Sequence, residues 1–483
     1  MEVMRSELMA ELSEAELGDA RLTKRLGTLV TSLVGAPDRS FPEAAATDSE
    51  LEGTYRFLRN ESVKPEAILA PHVRGTVRRA AEEKTVVVAH DTTEFSFGKT
   101  QRKGLGRVGR GKSFGFYGHF ALAVSTAESR RPLGLLGLTT VFRDGNKTRA
   151  AGVRLDDDSP ANESARWKRL VEDVEQQLGG EASAVHVMDR QADSYQLLVF
   201  MQQRAIRFAI RVCHVDRLLA TGEVGRTVEE AMDLTSVIAE REVPLSARGN
   251  SSMPTYRKLY PPRQARLAKL HVRARTVRIP KSKKTKSETK SLTVNVVQVS
   301  EVDPPGGAEP VSWTLWTSEP VATPEQALAV VDYYRRRWVI EEFFKALKSG
   351  CAYESRQLES KHSLLNALAV LAPIAWTLLS LRSASRVTPQ LPGTRILSDV
   401  QLRCLRFAMA ELHKQTLPEA PTIAEVTLGI ARLGGHIRNN GEPGWIVLGR
   451  GYEKLLTVEL GFHLATAALA SATEGRDATN DQS

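Results

Sequence analysis

Cysteine is scarce: three residues in 483, Cys213, Cys351 and Cys404, far apart and never in a Cys-x-x-Cys pair. That excludes a disulfide framework and a zinc ribbon, and it fits a reducing, cytoplasmic setting. The ten histidines include no pair at metal-ligand spacing, so a histidine-built metal site is not expected either. The N-terminus, Met-Glu-Val-Met-Arg-Ser-Glu, lacks the basic-then-apolar layout of a secretory signal. Long apolar runs are also missing. The most apolar stretch, Leu364 to Leu381, is interrupted by Asn366, Pro373, Thr377 and Ser380, which predicts a buried core helix and no membrane span. No internal repeat is evident, so periodicity guides the reading of the chain.

What is present is ordinary globular material: 42% hydrophobic and 25% charged residues. The length predicts about three domains. The net charge of +9 is unevenly spread. From Arg257 to Lys290 there are 13 Lys/Arg against the single acid Glu288, a net of +12. From Gly98 to Gly118, Lys99, Arg102, Lys103, Arg107, Arg110 and Lys112 face no acid, a net of +6. The rest of the chain is therefore −9. Two basic patches on an acidic body fit a polyanion track, and equally a pair of solvated loops.

Helical spacing and caps mark Ser13 to Leu33, Ser49 to Arg59 and Pro65 to Glu83, a small helical N-terminal unit carrying Arg21, Lys24, Arg25, Arg56 and Arg59. Thr85 to Asp91 reads as a buried strand ending in an acid, with further strands near His119 to Ser125 and Leu133 to Phe142. A helix over Glu163 to Leu178 leads to the strand Ala184 to Met188, which again ends in an acid, Asp189. This strand-strand-strand-helix-strand order predicts an α/β fold with a ribonuclease H-like mixed sheet. After a helix over Ser194 to Gln203 and a strand over Phe208 to Cys213, the α/β rhythm stops. We read about 215–320 as an all-β insertion holding the larger basic patch. A helical stretch from Pro324 to about Lys348 follows, then a mostly helical C-terminal part with a disordered tail from Ser471 to Ser483. The predicted domains are 1–72, helical and N-terminal; 73–385, the α/β unit with its insertion; and 386–483, helical and C-terminal.

Acids at the C-terminal ends of strands stand where open α/β sheets place ligands and catalysts. By itself an acid there is more often a cap or turn residue, and Asp91-Thr92-Thr93 fits that description. Asp156-Asp157-Asp158 is a competing acidic cluster, read as a loop before Ser159-Pro160. If the chain is helical from Tyr333 to Lys348, then Tyr334, Arg337, Glu341, Lys345 and Lys348 lie on one polar stripe and Glu342 lies about 100° round from Glu341. Phe343, Leu347 and Ile340 lie on the opposite, core-facing arc. Such a stripe is commonly a solvated face with i, i+4 ion pairs.

The spacing Tyr334-x2-Arg337-x3-Glu341-x6-Lys348 resembles the tyrosine-arginine-glutamate-lysine signature of bacterial cut-and-paste transposases of the DDE type, in the insertion-sequence-four family. Asp91-Thr92-Thr93, Asp189 through Ser194, Trp313 through Val321, Leu17 through Arg21, Tyr55 through Asn60, and the Leu433-Gly434-Gly435 and Gly444-Trp445 segments also look like blocks of that family. The resemblance covers nearly the whole chain.

It implies Asp91, Asp189 and Glu341 as catalytic carboxylates holding two Mg²⁺ ions, with Mn²⁺ able to substitute. Carboxylate oxygens suit a hard cation, which completes its shell with water and substrate phosphate. The resemblance further implies that Tyr334, Arg337, Lys345, Lys348 and Arg190 contact DNA, that Trp313 stacks on a flipped base, and that Arg21, Arg25, Arg56 and Arg59 serve an N-terminal DNA-end-binding unit. Without it, Trp313 would read as a core tryptophan. Its expected partners are double-stranded DNA, at terminal inverted repeats and at the target, and a second copy of the chain paired through the C-terminal helices. The expected place of action is the bacterial nucleoid. Two other readings share these residues: a nuclease of the same fold without strand transfer, and a non-catalytic DNA-binding regulator.

Overall fold

The computed structural model describes residues 2–109, 112–143, 165–245, 247–249, 257, 261–282, 285, 287–437 and 443–480. The acidic run Asp156-Asp157-Asp158 lies outside them, as do Arg110, Lys258, Lys283, Lys284 and Lys286 of the basic patches. Among the described residues there are ten strands, in chain order: β1 Thr85–Ser96, β2 Gly106–Val108, β3 Ser113–Ser125, β4 Pro132–Val141, β5 Ser183–Met188, β6 Arg207–Arg211, β7 Val237–Leu245, β8 Arg266–Pro280, β9 Ser291–Glu301 and β10 Ser312–Thr317. The architecture is mixed α/β, with a central mixed sheet and helical N- and C-terminal regions. The chain divides into two compact units: Met1–Glu82, Thr92–Gly152 and Val339–Ser483 form one, and Glu83–Asp91 with Val153–Trp338 form the other.

In the second unit the strand order is β1-β5-β6-β10-β9-β8-β7. β1, β5 and β6 are parallel, and β10, β9, β8 and β7 continue antiparallel. The parallel strands are apolar at their centres, Val86 to Ala89 of β1, Ala184 and Val185 of β5 and Phe208 to Ile210 of β6, because both faces are covered. One face packs Met188, Phe208, Ile210, Val294, Val296 and Trp316 against Trp167 and Val171 of the helix Ala165–Leu178 and Leu198 of the helix Tyr195–Gln203. The helix Pro324–Arg335, opened by Thr323 in a capping box, packs on β5 to β9 through Ala327, Val330, Val331 and Tyr334. The expected all-β insertion is not all β. A helix, Val228–Asp233, stands inside it because Thr227 caps it and Val228, Ala231 and Met232 are buried in the same core. Its strands extend the sheet through β10 on β6.

In the first unit β3 lies between β2 and the Thr92–Ser96 end of β1, and β4 also pairs with β3. Around these strands the helix Lys361–Val387 is buried from Leu364 to Leu381, as its apolar composition predicts. It is long and apolar enough to cross a membrane, yet 94% of its apolar window is buried inside the protein. At the N-terminus the expected helix from Ser13 to Leu33 begins only at Ala20 and runs to Gly35, and a further helix that was not expected, Glu2–Ser13, precedes it. Asp19 ends the gap, its carboxylate accepting from the backbone N of Arg21 at 2.8 Å. At the C-terminus the helix Trp445–Asn480 runs on through most of the expected disordered tail, and residues 481–483 lie outside the description. It crosses Ile423–Leu433 at two glycines: a Cβ on Gly451 would strike the Ile430 carbonyl, and one on Gly434 the Val447 carbonyl.

Candidate active site

Strand register builds the centre of the site. β1 and β5 pair Ala89 with Val187, and β5 and β6 pair Val187 with Ala209. Two residues further along each parallel strand come Asp91, Asp189 and Arg211, one row on one face of the sheet, about 4.8 Å from strand to strand. Arg211 in turn pairs with Leu315 of β10, two residues from Trp313 on the same face. Sequence reasoning missed Arg211. The expected strand ran on to Cys213, and only the strand register, with β6 stopping at Arg211, brings this residue beside Asp189; the strand-end rule had been applied to acids alone.

Above this row sits the end of the helix Pro324–Arg335. The single helix expected through Lys348 is in fact broken. It stops at Arg335, a tight turn follows in which Arg337 N bonds Tyr334 O at 3.0 Å, and a new helix, Trp338–Lys345, leads into a π-turn, Ala346–Gly350. One helical wheel therefore does not describe the segment, and the predicted common polar stripe is corrected: Tyr334 is 2% exposed and Arg337 7% exposed, neither of them on a solvated face. The break lets Arg337 turn inward. Its guanidinium donates from Nη1 to Asp91 Oδ2 at 2.7 Å and lies 5.9 Å from the Tyr334 ring and 5.3 Å from the Trp338 ring. Tyr334 meets half-buried Trp313 edge-on at 5.9 Å. Burial raises the Tyr334 phenol above its usual range, the charges of Arg337 and Arg211 oppose the rise, and that of Asp189 adds to it. The second unit thus brings together Asp91, Asp189, Arg211, Trp313, Tyr334 and Arg337.

The turn after Asp189 is held from beneath. Asp189 accepts from Gln191 N at 2.9 Å, which leaves Arg190 exposed. Asp193, with no side-chain exposure, accepts from Trp316 Nε1 at 3.0 Å, Cys213 N at 2.7 Å and Arg217 Nη2 at 2.9 Å. On the sheet's other face a buried pair lies beside the strand ends. His90 and His186 share a ring-nitrogen hydrogen bond of 2.7 Å, and His186 Nε2 meets Glu175 Oε1 at 2.8 Å.

The other predicted residues belong to the first unit. Glu341 is half-buried in the first turn of Trp338–Lys345, while its neighbour Glu342 is engaged by Arg386 Nη1 at 2.8 and 3.0 Å. Lys345 is exposed. Lys348 is half-buried, bonds the Glu94 carbonyl, lies 3.9 Å from Glu354 and has its ammonium pKa lowered by burial. Arg21 is paired with Asp19, Arg56 with Glu52, Arg59 lies over Tyr55, and the guanidinium of Arg25 occupies the space that a side chain at Gly53 would fill.

The donor chemistry is oxygen only. A small hard cation is held by one or two carboxylates with water and substrate phosphate completing its shell, and Asp91 with Asp189 supply two carboxylates on adjacent strands, which fits. Among the described residues no three acidic, histidine or cysteine side chains gather into a set that could hold a metal ion by themselves.

Two family models match the chain: a transposase DNA-binding model over residues 4–63 and a transposase DDE domain model over residues 83–377. Among solved structures the chain is similar to a piggyBac transposase synaptic complex with hairpin DNA, determined by cryo-EM, at 12% identity and a TM-score of 0.32. The match covers 75% of this chain and 65% of that one, so this chain spans just under two thirds of the piggyBac chain, and a likeness that loose carries no argument about the fold. The DDE domain model, by contrast, matches more than half of the chain, and the chain belongs to the family of DDE transposases.

Proposed function

We propose that this protein is a cut-and-paste DNA transposase of the insertion-sequence-four type, with a ribonuclease H-like catalytic core, acting on the terminal inverted repeats of its own element. The observation that carries this reading is the row of Asp91, Asp189 and Arg211 under Arg337, Tyr334 and Trp313. It supplies acids for a hard cation and, beside them, cations and aromatic faces suited to phosphates and a displaced base. The domains in this reading are 1–72 for end binding, 73–385 for catalysis and 386–483 for pairing two copies on two ends.

Asp91, Asp189 and Glu341 are the catalytic carboxylates of this proposal. A bound pair of Mg²⁺ ions would supply charge stabilisation at the attacking and leaving oxygens. In this reading, water cuts one strand at the element end, the freed 3′-hydroxyl attacks the opposite strand to close a hairpin, water reopens it, and the exposed 3′-hydroxyls attack target DNA. Arg337, Arg211 and Lys348 hold phosphates in line, and Arg337 can do so with both prongs of its fork. Trp313 stacks on the base displaced at the hairpin, and Tyr334 buttresses it.

The test is a nicking assay beside a binding assay, on duplexes carrying the inverted repeats that flank the gene. Asp189→Ala and Glu341→Gln are expected to bind end DNA within about twofold of the parent and to lose nicking by roughly 10³-fold or more, while Glu342→Gln keeps it. Unchanged nicking in Asp189→Ala overturns the carboxylate assignment. Cleavage without joined products on a paired-end substrate overturns strand transfer and leaves a nuclease.

A further inference from the structure

We propose that Arg337 is a latch on Asp91: without DNA its guanidinium occupies the carboxylate that the cation needs, and a phosphate of the DNA end releases it. The inference rests on the reading of Asp91 and Asp189 as cation-binding carboxylates. Arg337 Nη1 and Asp91 Oδ2 are 2.7 Å apart, a charge-assisted hydrogen bond with side-chain exposures of 8% and 16%. At that burial the pair is worth more than a surface ion pair, because water screens it less. A cation approaching Asp91 must compete with it for the carboxylate.

The arm is built to move. Arg337 stands in the two-residue break between the helices Pro324–Arg335 and Trp338–Lys345, held by an i to i+3 bond from its own N to Tyr334 O. Such a turn rearranges more readily than a helix interior. A phosphate offers the planar guanidinium two oxygens for bidentate hydrogen bonds and carries the same charge sign as Asp91. The exchange therefore replaces one anion by another on Arg337 and delivers Asp91 to the cation. Without DNA, the cation's apparent affinity is reduced by the fraction of time the latch is open; a latch open a tenth of the time weakens it about tenfold. The cation then loads chiefly on protein already holding an end.

The experiment is a Mn²⁺ titration of the DNA-free, full-length protein, read as free Mn²⁺ by electron paramagnetic resonance. Arg337→Gln is expected to bind Mn²⁺ about tenfold tighter than the parent, while Asp91→Asn and Asp189→Asn bind it far more weakly. Equal affinity in the parent and Arg337→Gln overturns the latch. If Asp91→Asn and Asp189→Asn bind as the parent does, it is the carboxylate reading that fails. Removing the guanidinium leaves a partly buried carboxylate without this partner, so circular dichroism checks the fold. If Arg337→Gln does not fold, Arg337→Lys decides instead. It keeps the charge but loses the planar fork that lies between Tyr334 and Trp338, so tighter Mn²⁺ binding than the parent's supports the latch and equal or weaker binding overturns it.

Discussion

Asp193 shows how a single side chain can organise the site without touching it. Three donors from three places in the second unit converge on its buried carboxylate: the Trp316 indole on β10, the backbone N of Cys213 just past β6, and the Arg217 guanidinium. The turn that starts at Asp189 is thereby tied to the strand that carries Trp313. Asp193→Ala removes an ionised acceptor and leaves a largely buried guanidinium and an indole N–H without it. The expected loss is about 3 kcal/mol in denaturant unfolding, with a smaller loss for Asp193→Asn, which keeps an acceptor oxygen. Loss within the error of the parent's stability would show that the turn is held by other contacts. From the sequence, Asp193 was legible only as part of a family block. Nothing local distinguishes it from a turn acid, because its partners come from 20, 24 and 123 residues away.

Elements are joined by similar devices elsewhere. In the first unit Glu11 of the helix Glu2–Ser13 accepts from His72 Nδ1 at 2.9 Å and also pairs with Arg79, both on the helix Pro65–Glu83, while His72 Nε2 accepts from Leu135 N at 3.2 Å. That pair of bonds sets the neutral tautomer of His72. Burial lowers the His72 pKa below 6.5 and outweighs the raising effect of Glu11. Burial pushes Glu11 upward, but the hydrogen bond from His72 and the charge of Arg79 overcome it and leave its pKa below 4.5. Both groups therefore bind protons less readily folded than unfolded, so both contribute stability at neutral pH that is lost on acidification. The His72 share is lost as pH falls below about 6.5, the Glu11 share below about 4.5. Melting temperatures at pH 7.5, 5.5 and 4.0 are expected to fall at each step, and His72→Gln should flatten the first. An equal first step in the variant would assign it to other groups. The strand β8 qualifies the basic patch in the same way: Arg266 is paired with Glu301, Lys269 with Glu240, and Arg273, Arg275 and Arg278 donate to backbone carbonyls. Charge counted along a sequence does not show which cations a fold has already engaged, so this patch is less a bare polyanion track than its net of +12 suggests.

For the molecule as a whole, the proposed function predicts two separable behaviours. Binding of end DNA is expected to weaken steeply with salt, by about 0.9 in log-log slope for each phosphate engaged, and to persist when a chelator removes divalent cations. Cleavage is expected to stop with the chelator and return with Mg²⁺ or Mn²⁺. Cleavage that continues in the chelator would exclude the carboxylate mechanism. Local periodicity, caps and strand-end acids are short-range properties, and they were enough to mark most strands, the buried helix Lys361–Val387, and Asp91 and Asp189 as strand-end acids, whereas the spacing of Tyr334, Arg337, Glu341 and Lys348 was legible only through its resemblance to transposases. Sequence could not reveal that the signature helix breaks at Arg337, that the inward-turned guanidinium meets Asp91, that Arg211 completes the row of strand ends, or that the insertion's strands extend the sheet and bury a helix among them. Those depend on strand register and on burial of charge between segments far apart in the chain, whose energies exist only once the tertiary structure has brought them together.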